Sequence, residues 1–86
     1  MSKQRVAKRV TNGPTIRALR EALGIRHTDF ARDVRVSTGY LANIEADRRQ
    51  SPGPDVVRRI ADRLGVGVDA ITYPVFVDVP DVQVPA

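Results

Sequence analysis

With 86 residues the chain is long enough for one small domain and too short for two cores, so what it buries must be packed efficiently. It has no cysteine and a single histidine, His27, which leaves no disulfide framework, no thiolate metal site and none of the paired donors that zinc sites and most acid–base relays need; no enzyme and no cofactor are expected. The formal charge of +4 is uneven: residues 1–13 hold Lys3, Arg5, Lys8 and Arg9 with no acid, the last fourteen hold Asp78 and Asp81 with no base, and the middle mixes ten basic with eight acidic side chains.

No apolar run approaches the roughly 20 residues that span a bilayer. The start MSKQRVAKRV lacks the apolar centre of a signal peptide, so a soluble cytoplasmic protein without a membrane partner is expected. A basic arm on a near-neutral domain attracts polyanions, although solvated basic tails also occur in proteins that bind none.

In chain order, Gly13-Pro14 reads as a helix start, because proline at the first helical position forfeits no hydrogen bond and glycine tolerates the cap geometry. Ile16, Leu19 and Leu23 follow at helical spacing, and Gly24 supplies a left-handed stop. A short second helix starts near His27 or Thr28, with Phe30, Ala31 and Val34 inward; if Arg26 caps it, the cap is poor. Ser37 is a good N-cap for a third helix that turns Leu41 and Ile44 inward. QSPGPD interrupts the pattern, and Gly53-Pro54 repeats the start device. Val56, Val57, Ile60, Ala61 and Leu64 then form one strong face, closed by Gly65. Asp69, Ala70 and Ile71 suggest a fifth, very short helix before Pro74.

The tail YPVFVDVPDVQVPA changes character. Val75, Val77 and Val79 alternate with Phe76 and Asp78, which is the period of a strand. Pro74, Pro80 and Pro85 exclude a long central strand, so an edge strand, a partner-bound strand and an extended disordered tail all stay open. The whole reads as an all-α bundle of four to five helices, divided into a basic N-terminal arm (1–13), a helical domain (14–72) and a Val/Pro-rich C-terminal tail (73–86).

Two short helices joined by the turn RVS, between a longer first helix and an amphipathic closing one, form the order of a helix-turn-helix bundle. Read together, IRALREALGIRHTDFARDVRVSTGYLANIEADRRQSP and RRIADRLGVGVDAIT resemble the lambda-repressor-like, Cro-type helix-turn-helix family, also called the xenobiotic-response-element family. The resemblance covers about residues 15–72. Its most specific signals are LREALGI, the FA pair, VS before helix three, the IE pair and ADRLGVGVDAI, and their order and spacing carry it rather than any one motif.

That resemblance implies a double-stranded DNA operator as partner and a role as a sequence-specific transcriptional regulator, a phage-type or bacterial repressor. The helix near 37–45 would be the recognition helix, with base-facing positions at Thr38, Gly39 and Asn43 and with Ser37 and Tyr40 beside them. Small and polar residues suit helix positions that approach base edges, and a carboxamide such as Asn43 can bond adenine through two atoms. Gly39 departs from the glutamines and serines usual there and offers no side chain for reading. Arg48 and Arg49 fall where the family bonds phosphates; His27, with Thr28 beside it, stands where a glutamine usually bonds a phosphate and braces helix three. Arg20 and Glu45 match a pair that bridges helices one and three. Asp47 and Arg35 occupy usual glycine positions, and Arg35 would be strained by about 1 kcal/mol at positive φ.

Family members commonly dimerise, with recognition helices about 34 Å apart on a pseudo-palindrome. The valine-rich tail is one candidate seam for a homodimer, and the end of helix four with the Ile71 turn is another. The competing reading is an antitoxin-like or assembly module whose tail binds a protein partner, adding a strand to its sheet.

Overall fold

The computed structural model describes residues 4–79; Lys3 and residues 80–86, with the tail calls at Asp81, Pro80 and Pro85, lie outside them. The elements run β1 (Gln4–Thr11), α1 (Gly13–Ala22), α2 (His27–Asp33), α3 (Thr38–Glu45), α4 (Pro54–Leu64), a 3-10 turn (Val68–Ala70) and β2 (Thr72–Val79). Among the described residues no helix is long and apolar enough to cross a membrane.

The all-α expectation is wrong: the fold is α+β, four helices plus a two-stranded antiparallel sheet. Residues 4–11 of the segment expected as a basic arm pair with residues 72–79, so of the forms left open for the tail the edge strand is the one adopted, from Thr11 opposite Thr72 to Gln4 opposite Val79. Two features hid this. The charges of Arg5, Lys8 and Arg9 obscured Val6 and Val10, which fall on the same sheet face as Val75, Val77 and Tyr73.

Pro74 also obscured the ladder, since proline excludes a long central strand, yet the edge strand that it leaves open is the one that forms. The Thr11 N–H points away from β2, donating to Gln50 O at 2.9 Å, whereas Asn12 N–H donates inward to Ile71 O at 2.8 Å. By alternation the Arg9–Pro74 position also turns its N–H groups outward, so the missing proline donor costs the ladder nothing.

The helices close on one core of Ile16, Phe30, Ala31, Val34, Leu41, Ile44, Ile60, Ala61, Leu64 and Ile71. Full burial of each large aliphatic or aromatic side chain there is worth about 1.5–3 kcal/mol. Ile71, placed in a fifth helix by the sequence reading, follows the 3-10 turn and is fully buried. Leu23 lies past the end of α1 and is exposed, so it is not part of the inward stripe.

All four helices end alike, with an N–H bonding back over five residues: Ile25 to Arg20 O, Val36 to Ala31 O, Arg48 to Asn43 O and Val66 to Ala61 O. This closure needs a left-handed residue just before that N–H. Glycine fills it at Gly24 and Gly65, but Arg35 (φ 63°) and Asp47 (φ 61°) fill it after α2 and α3.

The start of α1 is capped by Asn12, whose Oδ1 accepts from Thr15 N at 3.2 Å. Gly13 is needed for a different reason from the cap geometry: a Cβ there would press into Ile44 O and lie 2.6 Å from Glu45 O, both rigid backbone atoms at the end of α3. Gly13→Ala should therefore push α1 off α3 and cost about 1–3 kcal/mol, as overpacking does. The check is the urea midpoint, which should fall; an unchanged midpoint would mean that the two helices are not held this closely.

Candidate nucleic-acid interface

The orientation of α3 is set from beneath. Arg20 on α1 donates through Nε to Glu45 Oε2 at 2.8 Å and through Nη2 to Glu45 Oε1 at 3.1 Å, a two-pronged pair with both residues 8% exposed. Its third arm, Nη1, donates to Ile25 O at 2.9 Å, so the same guanidinium also ties down the α1–α2 connection. The hydrogen bond that Arg20 donates to Glu45 raises the guanidinium's pKa above its ordinary value.

His27, half-buried in the first turn of α2, extends the brace. Its Nε2–H donates to Thr38 O at 2.9 Å, and Nδ1 lies 3.7 Å from Glu45 Oε1. A carbonyl only accepts, so the Nε2 hydrogen is required by this geometry. Thr28, the next residue, is exposed.

With Leu41, Ile44 and Glu45 turned inward, the opposite side of α3 faces solvent. Ser37 caps the helix by accepting from Tyr40 N at 3.0 Å, and Ser37, Thr38, Gly39 and Asn43 are all exposed. Thr38, Gly39, Ala42 and Asn43 share one face at i, i+1, i+4 and i+5.

Two contacts bind the following loop to that face. Arg48 Nε donates to Asn43 Oδ1 at 2.9 Å, and the Arg49 guanidinium lies over the Tyr40 ring, 5.0 Å from its centre. Asn43, Arg48, Arg49, Gln50 and Ser51 together line a shallow polar hollow. Several other surface arginines have acidic neighbours: Arg63 with Asp33, Arg26 and Arg32 with Asp29, Arg17 with Glu21. Among the described residues neither Arg48 nor Arg49 has a carboxylate partner, so this end of α3 keeps its positive charge for an external anion.

The basic strand residues are less free. Arg5 lies 3.5 Å from Asp78 and over the Phe76 ring, and Arg9 donates to Thr72 Oγ1 and O. Lys8 borders the groove beside Gln50 and Ser51.

A family model described as "Helix-turn-helix domain" matches residues 13–72, which is α1 through the turn after α4. The chain belongs to the helix-turn-helix domain family. The Cro-type resemblance read from the sequence holds. Two structures of the clp gene regulator ClgR from Corynebacterium glutamicum are similar to it at 28% identity, with TM-scores of 0.61 and 0.59 and 65% of this chain covered. The match spans 58% of one ClgR chain and 71% of the other. The biofilm master regulator SinR, solved in complex with DNA, matches at TM-score 0.63 and 24% identity over 67% of this chain and 95% of that one, a likeness of fold. Among curated proteins none matches the chain.

Sequence reasoning missed the work of Asp47. Besides taking the left-handed position, its Oδ1 accepts the Gly13 N–H at 2.9 Å, so the end of α3 caps the start of α1. An aspartate standing three residues beyond the inward Ile44 was the available signal, since Asp both tolerates that conformation and accepts from a helix N-terminus. Gln50 was missed as well; it joins the helical domain to both strands, through its carbonyl to Thr11 N and its Nε2 to the Tyr73 hydroxyl at 3.2 Å.

Replacing Arg20 by Met should remove about 3–5 kcal/mol, because Glu45 is left buried without a countercharge. Adding Glu45→Leu should restore much of that loss. Chemical unfolding of the single and double variants tests this, and equal stability of Arg20→Met and wild type would dissolve the proposed brace.

Proposed function

We propose that this protein is a sequence-specific transcriptional repressor that occupies an operator by placing α3 in the DNA major groove. The observation that carries the reading is the exposed, small and polar face of α3, flanked by arginines whose charge no described carboxylate neutralises. Residues 14–72 act as the DNA-binding domain, and the paired strands β1 and β2 form an appendage on it.

In this reading Thr38, Gly39 and Asn43 face the bases. Arg48 engages Asn43 Oδ1, which turns the Nδ2 donors of the carboxamide toward the groove, where purine N7 is the natural acceptor. Thr38 meets a thymine methyl, and Gly39 lets the backbone approach closely. Ser37, Tyr40, Thr28, Arg48 and Arg49 hold phosphates and set the register, while His27 braces Thr38 from beneath. Lys8 and Arg9, next to the Gln50–Ser51 loop, add to the positive field on the same side. Binding of this kind is non-enzymatic and blocks by occupancy.

We place the homodimer seam on the ribbon. The alternative seam is weaker, since Ile71 is wholly used by the chain's own core. One ribbon face carries Val6, Val75, Val77 and Tyr73 around Lys8, with Val6 43% and Val77 40% exposed. The ribbon also makes the molecule long: its radius of gyration is 15.6 Å, against about 12 Å for a compact chain of this length. A second copy suits the face because the same apolar stripe meets itself about a twofold axis. An antitoxin-like role, with the tail adding to a foreign sheet, is less favoured, since β2 already has β1 along one edge.

Two outcomes are expected. Asn43→Ala should lose about 1–3 kcal/mol of discrimination at one base pair while leaving nonspecific affinity nearly unchanged, measured by titrating operator and scrambled duplexes; equal weakening on both would show that Asn43 does not read bases. Val77→Lys should convert the protein to a monomer in sedimentation equilibrium with its thermal unfolding little changed. A wild-type protein that is itself monomeric at high concentration removes the ribbon seam.

A further inference from the structure

At the foot of the ribbon, where β1 and β2 meet the start of α4, lies a cleft of about 330 Å³, of whose lining the DNA-binding reading uses only the field of Lys8 and Arg9. Its floor is aliphatic, built by Pro52, Pro54, Val57 and Val68. Three cations, Lys8, Arg9 and Arg58, border it. Among the described residues Lys8 has no ion-pair partner, and Arg58 has only a loose exposed one, 3.9 Å from Asp55. The volume falls at the small end of ordinary ligand sites, which combine an apolar body with a few convergent polar groups.

A buried hydroxyl marks the same place. Thr11 and Thr72 face each other across the ribbon, on the face shared with Arg9, and both line the cleft. Thr72 is fully occupied: its hydroxyl donates to Val68 O at 2.8 Å and accepts from Arg9 Nε at 2.9 Å. Thr11 is 1% exposed, yet its Oγ1 has no hydrogen-bond partner among the described residues. A buried hydroxyl without a partner is destabilising by about 1–3 kcal/mol, and valine would fill the same volume without that cost.

We infer that this cleft binds a small organic anion, a carboxylate or phosphate carried on an apolar body. The body lies on the proline–valine floor, the charge meets Lys8 and Arg58, and the Thr11 hydroxyl donates to an anionic oxygen. A DNA phosphate is the less fitting occupant, because a phosphodiester backbone has no use for an aliphatic floor. The site adjoins, through Gln50 and Ser51, the loop that carries Arg48 and Arg49.

The test uses the full chain without DNA, so its outcome is separate from that of operator binding. Backbone amide shifts are followed while naphthoate and naphthyl phosphate are added, with naphthalenemethanol as the neutral body, and acetate and inorganic phosphate as bare head groups. At least one of the two naphthyl anions should give saturable shifts at Thr11, Ser51, Val57 and Thr72, and which of them binds more tightly identifies the head group. Thr11→Val and the pair Lys8→Gln with Arg58→Gln should each weaken that binding about tenfold, the effect of losing a charge-assisted hydrogen bond. Thr11→Val should unfold at the same or a higher denaturant midpoint, which separates a lost ligand contact from a damaged fold. The inference is overturned if neither anion shifts these amides, if the neutral alcohol binds equally well, if Thr11→Val binds like wild type, or if only duplex DNA moves these residues.

Discussion

Two opposite charges buried beneath α3 hold the rest of the arrangement in place. Arg20 and Glu45 are each 8% exposed, and neither could be accommodated there alone. Burial of such a pair adds little net stability relative to a well-packed apolar pair, but a two-pronged guanidinium–carboxylate contact accepts only a narrow range of positions. The same guanidinium reaches Ile25 O, and the same carboxylate faces His27, which in turn donates to the first carbonyl of α3. One ionic contact thus fixes α1, α2 and α3 together, and with them the direction in which Thr38 and Asn43 point.

The connections on either side of α3 are made by residues that elsewhere would be glycine. Arg35 accepts a left-handed backbone at a cost of about 1 kcal/mol. Arg59 Nε donates to Val34 O at 2.8 Å within this turn and helps to hold it closed. Asp47 does more than tolerate its conformation, since its carboxylate caps α1 at the point where Gly13 lets the two helices touch. Both ends of α3 are therefore rigid by packing and capping, which suits an element whose outer face must be presented at a defined angle.

The helical part of the fold was legible because its signals are local. Caps, left-handed stops and inward stripes recur within a few residues, and Ser37, Gly24, Gly65, Leu41 and Ile44 could each be assigned from neighbours alone. The sheet was legible only in part: the alternation of Val75, Val77 and Val79 shows the strand period, but its partner Val6 lies across almost the whole chain, where no local pattern points to it. Charge misled as well: four basic residues read as an arm, although Val6 and Val10 already alternated within them. At the interface, the residue types on α3 could be named in advance. The contacts that organise them, Arg48 to Asn43 and Arg49 over Tyr40, depend on a loop closure that no local pattern displays.

The central claim is that α3 reads bases through the major groove, with Asn43 donating to a purine N7. Sites enriched from a random duplex pool would be resynthesised with each purine in turn replaced by its 7-deaza analogue, which removes only the N7 acceptor, and affinity would be measured for wild type and Asn43→Ala. The account expects one purine per half-site at which the replacement weakens wild-type binding and leaves the Asn43→Ala variant unaffected. Full affinity of the wild type for every 7-deaza duplex, or the same loss with and without Asn43, would contradict it.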